Sequence, residues 1–259
     1  MAPVESAESI ELLFALAPLG LALLVAGAYA IRLATVGGVH EARADREAGS
    51  VLLAPRAVDG FYWALAPLVR GAVALGLSAN ALTASSLVFG AAAGVAAGGG
   101  RFGVATLLGL VAALVDTLDG QVARATGTTS TAGKLFDATA DRYVEAALFV
   151  GIVFYVRASS PLLLLTLAAL VASFLVSYVS AKVEAYPQVA VPRGAMRRGE
   201  RLVLLTLGTG LVPAVARLLP PTAPLGAVLS PLVVALATIA VAGNVSAIRR
   251  LMHLARSAP

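Results

Sequence analysis

The sequence predicts an all-α integral membrane protein: a six-helix transmembrane core, an N-terminal interfacial helix, and one extra N-terminal transmembrane helix. Three observations carry this. Of 259 residues, 59% are hydrophobic and 13% charged, with a mean hydropathy of +0.90, whereas soluble domains carry roughly 25% charged residues. Several apolar runs reach the roughly 20 residues that cross a hydrocarbon core as a helix. Those runs are continuous rather than alternating, which selects helices over a barrel, the other structure able to span lipid.

The elements follow in order. Residues 10–31 form the first span, and a polar segment from His40 to Arg56 follows. Residues 60–76 (GFYWALAPLVRGAVALG) carry aromatics and one arginine among apolar residues. They read as an interfacial helix with Tyr62 and Trp63 as anchors. Five spans are expected at 80–97, 102–123, 133–156, 161–183 and 201–215, and a last one at 225–248. The glycine run Gly98 to Gly100 reads as an external turn.

The basic residues orient this layout. With the C-terminus in the cytoplasm, Arg101, Arg157 and Arg217 fall outside, and the other 16 of 19 Lys and Arg fall inside or near the inner face. This is the positive-inside pattern. It accounts for the net charge of +5 without nucleic acid. The first nine residues hold Glu5 and Glu8 and no base, which fits an external N-terminus and argues against a cleaved signal peptide. There is no cysteine, which excludes thiol catalysis and disulfides. His40 and His253 are too far apart to suggest a metal site.

Four of the six aspartates fall between Asp116 and Asp141, in DTLDGQVARATGTTSTAGKLFDATAD. Acidic side chains at membrane depth are costly and are retained for a purpose. The small polar run 127–132 suits a turn, so the segment reads as a helical hairpin with its mouth at the cytoplasmic face. Asp116 and Asp119 are i, i+3, and Asp137 and Asp141 are i, i+4, so each pair shares a helix face. Asp119 lies about eight residues before the turn and Asp137 about five after it, which at about 1.5 Å per residue puts both at a similar depth. Four neighbouring carboxylates repel, and either protonation or a bound cation relieves this. Oxygen ligands on rigid helices suit Mg²⁺ or Mn²⁺. Gly120, Ala123 and Gly133 allow close approach of a ligand, and Arg124 presents a planar cation matched to phosphate. A metal beside a phosphate cradle is equipment for transfer of a phosphoryl-type group.

The pattern D-x2-D-G-x2-A-R-x8-G-x3-D-x3-D resembles the signature of the CDP-alcohol phosphotransferases at all eight positions: Asp116, Asp119, Gly120, Ala123, Arg124, Gly133, Asp137 and Asp141. The resemblance covers about residues 57–250. It implies a membrane domain there, preceded by an extra helix and linker at 1–56 and followed by a short cytoplasmic tail at 251–259. It also implies a CDP-linked donor, often CDP-diacylglycerol, and one or two divalent ions held by Asp116, Asp119 and Asp137, with Asp141 sharing in coordination. Asp141 would in addition be the general base for the acceptor hydroxyl, and CMP would leave. Asp116, Asp119, Gly120, Ala123, Arg124 and Gly133 would contact the cytidine diphosphate. The stretch from Ser78 to Thr83 resembles the family's entry to its first core helix, with Asn80 and Thr83 facing the nucleotide. The family implies a homodimer in the cytoplasmic membrane, its active site facing the cytoplasm.

A second polar region concerns the acceptor. The patterns S-Y-x3-[KR]-x-E at Ser177 to Glu184 and R-x-E-R at Arg198 to Arg201 resemble members that use inositol phosphate. Lys182, Arg198 and Arg201 would then hold the acceptor's phosphate, with Arg193 and Arg197 nearby. The chain departs from that subgroup at Ser180, where a lysine is expected, and near Asn244, where an arginine is expected. Glycerol 3-phosphate is the rival acceptor. Choline is disfavoured, because the region is basic and offers no aromatic cage. Two other classes fit less well. A prenyltransferase needs a second Asp-rich motif, which the later half lacks. A cation transporter usually places its carboxylates near the bilayer midplane.

Overall fold

The computed structural model describes residues 2–35, 55–186, 188–189, 191 and 194–257. His40, most of the polar linker and Arg193 lie outside the described residues. Among the described residues every regular element is a helix: α1 (Ala2–Thr35), α2 (Pro55–Ala74), α3 (Ala79–Gly98), α4 (Phe102–Ala125), α5 (Thr131–Val156), α6 (Ser160–Ala185), α7 (Arg198–Leu218), α8 (Leu225–Val228) and α9 (Ser230–Ser257). Six of them, α1 (from Glu8), α3, α4, α6, α7 and α9, are long and apolar enough to cross a membrane. The seventh expected span, α5, has 26 residues, but its charges over residues 134–145 keep it below that standard of composition. The molecule is thus an all-helical integral membrane protein with an additional N-terminal span.

The chain falls into two compact units, one ending at Gly151 and the other beginning at Ile152. In the first, α4 packs against α3, α1 and α2. The buried stripe of α2 is Val58, Tyr62, Leu65 and Ala72, with Val69 half-buried. It packs with Leu82 of α3 and with Leu118 and Val122 of α4. Spacings of three and four put these residues on one face, as an amphipathic helix requires. Tyr62 is therefore a core residue rather than the interfacial anchor expected, because the stripe's register turns it inward. Trp63 packs on Tyr29 of α1, with ring centroids 5.8 Å apart.

The extra helix α1 is docked at both ends. The Glu11 carboxylate accepts from the Gly103 N–H at 2.8 Å and from Arg101 Nε at 3.1 Å. Glu11 thereby satisfies donors that the first turn of α4 leaves unpaired and meets the positive end of that helix. A Cβ at Gly103 would run into the Glu11 carbonyl, so the glycine is what lets the backbones touch. The start of α1 and the start of α4 lie at one end, so the two helices cross in the same direction.

Helices α3 and α5 meet through small residues. A Cβ at Gly94 would run into the carbonyl of Ala147, and one at Gly151 into the carbonyl of Gly94. Small residues allow such backbone approach where lipid provides no hydrophobic drive. On an isolated helix Gly→Ala is favourable by about 1 kcal/mol. Gly94→Ala is instead expected to destabilise by about 1–3 kcal/mol through overpacking. It should lower the thermal midpoint in detergent; a raised midpoint would contradict this packing.

In the second unit α9 packs against α6 and α7, again through small residues: a Cβ at Gly208 would lie 2.8 Å from the Ala235 methyl. The last expected span begins at 225 as read, but it breaks after α8 and restarts with Pro231 in the first turn of α9. A proline fits there, since its missing N–H is not needed. Helix α9 then continues to Ser257, because nothing in IRRLMHLARS stops a helix.

Candidate active site

The hairpin forms where it was expected. Helix α4 ends at Ala125 and α5 begins at Thr131. Gly127 adopts φ +68° in the turn, a conformation that glycine takes without strain. Ser130 caps α5, its Oγ accepting from the Gly133 N–H at 3.0 Å, the usual bond from an N-cap side chain to the third helical residue. Asp119 lies six residues before the end of α4 and Asp137 six after the start of α5. The matching depth is therefore real, and the carboxylates sit toward the hairpin mouth.

Asp116, Asp119 and Asp137 each offer a carboxylate oxygen, and these oxygens lie within 4.8 Å of one another. Asp119 is buried, and the other two are half-buried. Three carboxylates this close repel at any effective dielectric of a protein interior. An all-oxygen donor set on rigid helices is what a hard divalent cation takes. The trio can therefore hold a metal. Asp141 is not in the converging group. It is buried, and one of its oxygens lies 3.9 Å from the Arg142 guanidinium.

One partner was not legible from spacing. The Thr83 hydroxyl lies 2.5 Å from Asp119 Oδ2 and 3.1 Å from the Ala79 carbonyl. It carries one proton, and an ionised carboxylate is the stronger acceptor. Thr83 is buried and orients a candidate ligand. Such outer partners typically contribute 10–100-fold to metal affinity. Thr83→Val is expected to weaken Mn²⁺ binding by about that factor, measured by titration; unchanged affinity would remove Thr83 from the site.

The residues expected to form a phosphate cradle make two separate contacts. Arg124, exposed, lies back over Gly120: a Cβ there would stand 3.3 Å from its guanidinium. Ala123 is half-buried between them in sequence. A Cβ at Gly133 would lie 3.9 Å from the Asn80 side-chain oxygen, so Asn80, at the start of α3, meets the start of α5. Ser78 caps α3 by accepting from the Ala81 N–H at 3.2 Å. Two helix N-termini thus face one place, a favourable setting for an anion.

The expected acceptor residues belong to the second unit. Lys182 is exposed, with its ammonium 5.4 Å from the ring centroid of Tyr178. Arg198 opens α7 and is half-buried. Arg201 is 1% exposed. Its guanidinium donates to the Met196 carbonyl at 2.7 Å and to Ser177 Oγ at 3.3 Å. The Glu200 carboxylate, in the first turn of α7, accepts from the N–H of Met196 and of Arg197; Arg197, at the N-cap, has no acceptor with which to complete a capping box. Glu200 and Arg201 therefore grip Met196, which has φ 63°, from both sides. Arg201 is thus tied to the loop that carries Met196 and to Ser177. Sequence reasoning missed Arg250: from α9 it donates to Ser180 Oγ at 2.9 Å. A guanidinium thus stands at the position where a lysine was expected and absent. The only signal was the run of α9 past residue 248.

Comparisons with known proteins show what the chain is similar to. The sequence profile of the CDP-alcohol phosphatidyltransferase family matches residues 76–243, which include every signature residue. The phosphatidylinositol phosphate synthase of Mycobacterium tuberculosis (strain ATCC 25618 / H37Rv) is 31% identical over 153 residues, covering 56% of this chain and 68% of that protein. The crystal structure of the Mycobacterium tuberculosis phosphatidylinositol phosphate synthase with CDP-DAG bound is 28% identical. It superposes with a TM-score of 0.62 over 74% of this chain and 94% of that one. The same enzyme in complex with manganese and citrate gives a TM-score of 0.62 at 28% identity, over 74% and 89% of the two chains.

Proposed function

The chain belongs to the CDP-alcohol phosphatidyltransferase family, and from that premise we propose that it transfers a phosphatidyl group from CDP-diacylglycerol to an inositol phosphate-like alcohol, releasing CMP. The observation that carries the reading is the convergence of Asp116, Asp119 and Asp137 beside Gly120 and Arg124. Asp116, Asp119 and Asp137 would hold Mg²⁺ or Mn²⁺, which when bound neutralises the charge of the diphosphate. That the related enzyme was crystallised with manganese and with CDP-DAG supports the same assignment here.

The protein's own groups do the rest. Arg124 pairs with diphosphate oxygens, and the N-termini of α3 and α5, bearing Asn80 and Gly133, add backbone dipoles on the same anion. Asp141 accepts the proton of the acceptor hydroxyl. That oxygen bonds to the phosphorus bearing the lipid, the bond from that phosphorus to the CMP oxygen breaks, and CMP leaves with the electron pair. Positioning and charge neutralisation supply most of the acceleration in such transfers. The reaction faces the cytoplasm in the orientation that the basic residues favour.

On the acceptor side, Lys182 and Arg198 would bind the phosphate directly, Arg201 would shape the loop beneath, and Arg250 would replace the lysine missing at Ser180. The identity of the acceptor rests on the similarity to phosphatidylinositol phosphate synthases. Purified protein with CDP-diacylglycerol, Mn²⁺ and a panel of inositol phosphate, inositol and glycerol 3-phosphate tests it by CMP release. Preference for inositol phosphate is expected; preference for glycerol 3-phosphate would reassign the acceptor, and no release with any alcohol would sink the reaction. Arg250→Ala is expected to raise the acceptor KM by about tenfold or more, the worth of a hydrogen bond to a charged group, with donor KM unchanged. The reverse pattern would move Arg250 off the acceptor site.

A further inference from the structure

Outside the residues that the family profile matches, α1 and α2 enclose a groove of about 730 Å³. Its α1 wall is Leu24, Val25, Ala28 and Arg32, and its α2 wall includes Trp63, Pro67 and Arg70. The residues of α1 recur at one side of the helix, so an apolar strip of about 12 Å leads up to Arg32. Among the described residues Asp59 is the one acid in the lining, and it is buried. Two arginines against one acid leave the described lining of the groove cationic.

Arg32 is the informative member. It lies in the last turn of α1, with its guanidinium carbon 5.6 Å from the centroid of the Trp63 ring. Its Nε is buried with no hydrogen-bond partner among the described residues. Buried N–H groups are almost always paired, and a guanidinium set on an aromatic face keeps its in-plane donors available for an anion. Leu21, Leu23, Leu24 and Ile31 of the same helix are exposed, so this face of α1 is a hydrocarbon-facing surface. An apolar strip ending in an arginine at a helix terminus, with a second arginine in the same lining, matches a phospholipid, and basic pockets between membrane helices take anionic headgroups.

We propose that this groove binds an anionic phospholipid from the bilayer, with its phosphate on Arg32 and Arg70 and an acyl chain along Leu24, Val25 and Ala28. The site is separate from the aspartate trio and stands whether or not the transferase reading does. It gives the extra helix a role: α1 completes a lipid site that α2 alone cannot form.

Trp63 is the chain's single tryptophan, so its fluorescence reports on the groove. The test compares quenching in nanodiscs doped with brominated phosphatidylglycerol or with brominated phosphatidylcholine, over a range of mole fractions. Half-maximal quenching is expected at a lower mole fraction of the anionic lipid, by about fivefold for each arginine engaged. Arg32→Gln and Arg70→Gln should each reduce that preference. Arg70 is exposed, so its variant tests the site without disturbing the fold. Equal quenching by the two lipids, or a preference unchanged in both variants, overturns the proposal. A preference that vanishes when EDTA removes divalent ions would assign the lipid to the aspartate site and also overturn it.

Discussion

Asp119→Asn is expected to abolish Mn²⁺ binding and to cut CMP release by at least about a thousandfold, the factor that corresponds to several kcal/mol of lost charge stabilisation. Asp119 is the most buried of the three converging carboxylates, and Thr83 holds its orientation. Asparagine keeps the size of the side chain and an oxygen for Thr83, so the substitution removes charge rather than shape. Two readouts separate a metal site from a structural cluster. Without metal, deleting one of three repelling charges should leave the thermal midpoint unchanged or raised. With metal, the wild-type protein should gain stability as the ion saturates it, by about 2.7 kcal/mol at a hundredfold excess over Kd, and the variant should gain none. A variant that binds Mn²⁺ normally and still turns over would show that the trio is not the metal site.

The contrast between Asp119 and its partner explains what could be read from the chain. The aspartates were legible because helical spacing acts within one element: i, i+3 and i, i+4 pairs share a face whatever surrounds them. A short turn then folds one helix onto the next. The spans were legible for the same reason, since length and hydropathy are local. Thr83 was not, because its bond to Asp119 joins residues 36 apart in different helices, and a threonine in an apolar run has no pattern of its own. Arg250 reaches Ser180 across 70 residues, and Glu11 reaches Gly103 across 92. Each depends on where two helices dock, which small residues such as Gly94 and Gly103 decide by letting backbones touch. Tyr62 was misread for a related reason. Aromatic residues near a membrane surface suggest anchors, but the register of α2 places Tyr62 in its buried stripe. The sequence therefore showed the chemistry of the candidate metal ligands and left their supporting partners and the α1–α2 groove to the packing.

Asp141→Asn should separate catalysis from binding. Asp141 is outside the converging trio, yet it is on the same helix as Asp137, one turn further along, and it is buried. Residues four apart share a helix face, so Asp141 is a candidate to serve the reacting groups without being a principal ligand. If it takes the acceptor's proton, asparagine leaves shape and polarity intact but cannot accept that proton. The expected result is a fall in kcat of about 10²–10⁴-fold, the usual contribution of a positioned base, while Mn²⁺ affinity and CDP affinity stay within a few-fold of wild type. Calorimetric titration and CMP release measured on the same preparation check both halves. A loss of Mn²⁺ affinity in step with kcat would instead make Asp141 a ligand whose carboxylate swings into the trio when metal binds. Full turnover would assign the proton to another acceptor. The Asp119 and Asp141 variants thus predict different patterns, loss of metal with loss of rate against loss of rate alone, and the two carboxylates can be assigned by comparing them.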